Sequence, residues 1–186
     1  MFKRPSGVLH KELKYLYKTV NNFSTILKDT NNEVAKKLQY EYNCMGYAFG
    51  WYDWLDLDSF YAIDQDLIED DEEEAKQDLE KMTIDCVIEI EKHYAVRRIR
   101  RPEEATNNER VFAFRCGYDD FHFARLNSDG IWTHKPGGNY IREMTEDELY
   151  GDAWCEHRFY PYTSKVYFFA VDIATDIQEE WECNYG

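Results

Sequence analysis

The hydrophobic period of the chain changes once, near Tyr94, and this constrains the fold more than any other feature. Before that point Leu79, Met82, Cys86 and Ile90 recur at intervals of three and four, which predicts an amphipathic helix from about Asp71 to His93. The acidic residues at its start suit the positive end of the helix dipole. Further upstream, Leu13, Leu16, Tyr17, Val20, Phe23, Ile26 and Leu27 predict one or two helices across residues 8–30, and Asn31-Asn32 opens a short one through Lys37. After Tyr94 the period becomes two. Strands are expected over 94–100, 110–117, 121–126, 130–135 and 164–173. Helices followed by an antiparallel sheet define an α+β fold, and 186 residues without an evident linker suggest one domain over 1–186.

Two of those strands are joined by Asn127-Ser128-Asp129-Gly130, a hairpin turn by composition in which glycine supplies the positive φ. Pairing Leu126 with Ile131 sets His122 opposite Lys135, and a shift of one residue brings His134 there instead. The two histidines are therefore expected within reach of each other.

The segment EYNCMGYAFGWYDWL predicts a helix capped by Asn43 and running to about Trp54, with Gly46 and Gly50 on one face where something packs close. Cys44 would open it. A thiol at a helix N-terminus beside an imidazole is activated for attack, and the backbone N–H there suits an oxyanion. Among His10, His93, His122, His134 and His157, His122 fits the base, because it opens a strand and faces away from Phe121 and Phe123. His134 would orient it as a carboxylate does in a serine triad. Tyr42 is a further oxyanion donor by position, and Trp51 and Trp132 are expected as core or groove walls.

Taken in order, NCMGYA, DFHFAR and WTHKPG resemble the NlpC/P60-type branch of papain-like cysteine peptidases and amidases, with CHAP domains as cousins. The resemblance spans roughly residues 40–140 and implies N-terminal helices packed on an antiparallel sheet. It also implies Cys44 as nucleophile, His122 as general base and acid, and His134 as orienter. The long interval between Cys44 and His122 would then hold an acidic helical insertion at about 64–93. The activity implied is hydrolysis of an amide, peptide or isopeptide bond through an acyl-enzyme, on a peptide or protein substrate and without a cofactor.

Charge points to a different function. The formal net charge is −15, concentrated in DQDLIEDDEEEAKQDLE at 64–80 and in the tail DIQEEWECN. Such a surface repels nucleic acid phosphates but attracts a basic protein. The rival expectation is a non-enzymatic inhibitor or interaction protein of phage or bacterial type, acting by charge, with DNA mimicry as one form of it. The five cysteines are widely spaced with no CxxC pair, which disfavours a disulfide framework or a zinc site. No phosphate-cradling loop, HExxH motif, membrane-length apolar run or signal peptide is visible, so a cytoplasmic protein without metal is expected.

Overall fold

A computed structural model describes residues 42–51, 53–127, 129–154, 161–175, 177 and 183–184. The helices expected within 8–37 lie outside them, as do His10, Cys155 and His157. Helix α1 is Cys44–Phe49, α2 is Gln65–Asp70, α3 is Glu72–His93 and α4 is Glu146–Tyr150. The strands are β1 (Arg97–Ile99), β2 (Glu109–Cys116), β3 (Phe121–Leu126), β4 (Trp132–His134), β5 (Arg142–Met144) and β6 (Tyr167–Asp172). They form one six-stranded sheet in the order β1-β6-β2-β3-β4-β5, and every pairing is antiparallel. The fold is α+β.

Local chemistry explains the element ends. The α3 N-cap is Asp71, whose side chain accepts the N–H of Glu74, and Lys92 and His93 occupy its last turn, each complementing the dipole. The α1 helix stops at Phe49, short of the expected Trp54, because Gly50 adopts the left-handed conformation at φ 73° and closes the helix. Gly46 is the close approach foreseen: a Cβ there would sit 2.6 Å from the Trp51 carbonyl oxygen and closer still to that of Asp53.

Both faces of the sheet are covered, so β2 and most of β3 are buried along their length. On one face Phe112, Phe114, Phe121, Phe123 and Phe169 pack against α1 and the inner side of α3. Phe49 meets Phe123 edge-on with centroids 5.3 Å apart, and each such ring contributes roughly 1.5–3 kcal/mol by burial. On the opposite face Ala113, Ala124 and Ala170 leave room for Trp132, Trp154, Tyr162 and Leu149. That face also carries Arg115, His122 and Phe168, so it mixes polar, small and aromatic side chains where the other is lined by phenylalanines. Helix α3 is thus a layer of the core on its inner side, with Ala75, Leu79, Met82, Cys86, Val87 and Ile90 buried, and a carboxylate-rich surface on its outer side.

Candidate functional site

Cys44 begins α1, as expected, and Asn43 caps it by accepting the N–H of Gly46 at 3.1 Å. The Asn43 amide also clamps the returning chain, donating to the Leu55 carbonyl at 2.6 Å and accepting the Leu55 N–H at 3.3 Å. The Cys44 thiol is 5 % exposed and donates to the Phe121 carbonyl oxygen across 3.8 Å. It belongs to the phenylalanine face.

His122 and His134 come together as expected. Nε2 of His122 lies 2.9 Å from Nδ1 of His134, the rings at 85° to each other. The register responsible is one residue away from the simplest hairpin: Leu126 faces Trp132 rather than Ile131, and His134 faces Ala124. Asn127 donates to the Ile131 carbonyl and Gly130 takes φ 81°, which lengthens the connection. His122 and His134 therefore sit diagonally on one face. His122 stacks on Tyr162 with centroids 5.2 Å apart and meets Trp154 edge-on.

That face is not the one Cys44 touches. Phe121 and Phe123 point to α1, and strand alternation sends His122 between them through to the Trp154 and Tyr162 side. The expected triad of Cys44, His122 and His134 is thus not assembled, because the sheet stands between thiol and imidazole. The expected groove is divided in the same way. Tyr42 and Trp51 lie on the α1 side, whereas Trp132 packs on Phe168 across the sheet, and all three are buried.

Cys44 has a different titratable neighbour, one that sequence reasoning did not select. Lys135 is 2 % exposed; its ammonium donates to the carbonyls of Tyr42, at 2.6 Å, and Gly137, and lies over the Tyr42 ring. Burial pulls it down to about 8, and the nearby Cys44 sulfur offsets part of that fall. On the same face Thr133 Oγ1 lies 2.7 Å from the Tyr47 hydroxyl and accepts from the Asn127 amide at 3.0 Å. The available signal was parity: Thr133 and Lys135 alternate with His134 and so share the side of α1.

Across the sheet, Arg115 is directly opposite His122 and is spent on carbonyls of Gly151, Asp152 and Ser164, which tie down the chain beside Trp154. Among the described residues no group of three His, Cys, Asp or Glu is placed to hold a metal ion, and no helix is long and apolar enough to cross a membrane. Comparison with family models, curated proteins and solved structures finds no match.

Proposed function

We propose that the chain acts in the cytoplasm as an acidic interaction protein, binding a basic protein partner through the outer surface of α2 and α3. The observation that carries this is a cleft of about 660 Å³ beside α3 in which four carboxylates, Asp56, Asp58, Asp85 and Glu89, outnumber the basic residues Lys92 and His93 of the last α3 turn and flank Ile88 and Tyr94. Carboxylates around an aliphatic and an aromatic residue fit a lysine or arginine side chain, whose stem is apolar and whose head is charged. The run from Asp64 to Glu74 extends the negative surface, and among the described residues only Glu72 in that run is neutralised by a salt bridge, to Lys76. Ile84 and Ile88, 41 % and 54 % exposed, add an apolar strip on the outer side of α3.

The test is binding of a lysine-rich polypeptide near physiological salt. Charge reversal at Asp85 and Glu73 is expected to weaken it by at least about tenfold, while equal reversals at Glu103 and Glu146, away from the cleft, have little effect. Equal losses from both pairs would reduce the surface to mere net charge and defeat the proposal.

A thiol hydrolase of papain-like arrangement is the second reading, favoured by Cys44 at the capped start of a helix packed on an antiparallel sheet, with the buried Lys135 on the same side of that sheet. In it Lys135 replaces His122 as the group beside the nucleophile. Once Lys135 has lost its own proton to solvent and the thiol has left the Phe121 carbonyl, the thiol proton passes to the amine, the sulfur adds to an amide carbonyl, and the protonated amine returns the proton to the leaving nitrogen. Water then cleaves the thioester. Selective alkylation of Cys44 by iodoacetamide, abolished by Lys135→Met, would support it. A Cys44 no faster than the buried Cys86 would end it.

A further inference from the structure

The face remote from Cys44 carries a cavity of about 440 Å³ whose lining includes His134, Arg142, Glu143, Asp147, Glu148 and Trp154. We propose that it is a binding site for a small zwitterion, a molecule such as a dipeptide that carries a carboxylate and an ammonium group. This site is separate from the acidic cleft and from Cys44.

Both signs of charge are held on one wall without cancelling. Arg142 faces His134 in the β4–β5 register and is exposed, yet no carboxylate among the described residues lies within ion-pair distance of it. A planar guanidinium in that state is suited to take a carboxylate through two parallel hydrogen bonds. Asp147 and Glu148 line the same cavity from α4. Glu148 is fixed in a capping box, accepting from the N–H and hydroxyl of Thr145, and those bonds hold its carboxyl below the usual range, with a smaller contribution from His134. A lone anion would meet these carboxylates and a lone cation would meet Arg142. A ligand bearing both charges satisfies each.

The remaining lining gives the ligand a preformed seat. Trp154 is 2 % exposed and spends its indole N–H on the Leu149 carbonyl at 2.8 Å, so it offers the cavity apolar surface, as does Met144. His134, 9 % exposed, is held by its bond to His122, which is itself held by Tyr162. Its ring is oriented before any ligand arrives, which lowers the cost of binding.

The test is titration of the nitrogen-15-labelled protein with alanyl-alanine, following the Trp154 indole and His134 ring signals. N-acetyl-alanine and alanine amide serve as single-charge comparators. The dipeptide is expected to move both signals saturably, and each comparator to bind at least about tenfold more weakly. Arg142→Gln and Asp147→Asn, both at exposed positions, are each expected to weaken the dipeptide by at least about tenfold. Unmoved signals, equal binding of a comparator, or full affinity in Arg142→Gln would overturn the proposal.

Discussion

His122 and His134 share a 2.9 Å hydrogen bond, Nε2 to Nδ1, on the side of the sheet turned away from Cys44. Two imidazoles in that contact can be neutral only as complementary tautomers, one donating and the other accepting. The pair is thus a buried polar joint between β3 and β4, supported by the Tyr162 ring.

His122→Ala is expected to cost about 2–4 kcal/mol, since it opens a cavity beneath Tyr162 and removes the hydrogen-bond partner of His134 Nδ1. Because the sheet intervenes, the same variant should leave Cys44 alkylation by iodoacetamide within about twofold of the parent rate. Urea unfolding and mass-spectrometric labelling measure the two effects. A large fall in Cys44 reactivity would contradict the placement of the two residues on opposite faces.

Lys135 sets an alkaline signature. Its folded value of about 8 lies below the ordinary 10.5, so between those values the unfolded chain binds a proton that the folded chain has released. Stability from this group therefore rises with pH through that window, by up to a limit of the order of 3 kcal/mol. Tyr61, bonded to Asp78, and Tyr94, buried, are both held up to about 12 from 10.0, so the folded chain keeps protons that the unfolded chain loses. Their contribution falls as pH rises from about 10 to 12. Stability measured against pH should rise above pH 8 and turn over above 10. Lys135→Met should remove the rise and keep the fall.

Glu109 governs an acid limb. Its carboxyl accepts two hydrogen bonds from Arg97 and one from the Thr106 N–H, and it is held down to about 2 from 4.5. The stabilisation is fully present above pH 4.5 and is lost as pH falls toward 2. Arg97 is 49 % exposed, so solvent screening limits the effect to about 1 kcal/mol. Glu109→Gln should lack this part of the acid-induced loss in a thermal-melt series.

The two glycines of α1 should respond unequally. Gly50→Ala places a side chain at φ 73°, which costs about 1 kcal/mol of backbone strain. Gly46→Ala drives a Cβ into the carbonyls of Trp51 and Asp53, neither of which is a flexible side-chain end, and should cost more. Chemical denaturation of the two variants under one set of conditions tests the ranking.

Much of the fold was legible locally. Three- and four-residue spacing marked α3 to within a residue, and β3 matches its expected range of 121–126. β2 and β6 were found with shorter or shifted ends, since strand ends depend on which neighbour supplies their hydrogen bonds. Strand β5 was missed: at three residues, Arg142–Met144, it has too few positions to show a period and exists because β4 pairs with it. Helix α2 falls inside the acidic stretch expected to be helical at about 64–93, but its separation from α3 was not legible, since none of its residues is fully buried and only Leu67 and Ile68 pack against the core.

For the site, the sequence by itself determined that Cys44 starts a capped helix and that His122 points away from Phe121 and Phe123. Cap chemistry and strand alternation are local and need no partner. Only the tertiary structure decided which face α1 covers, and it covers the phenylalanines. Packing energy favours burying large rings against a helix, so His122 goes to the other side. The hairpin register was also tertiary: one residue's difference across Asn127–Ile131 places His134 with His122 and sends Lys135 toward Cys44. In a sheet buried on both faces, period two separates residues into two sets without saying which set meets the helix.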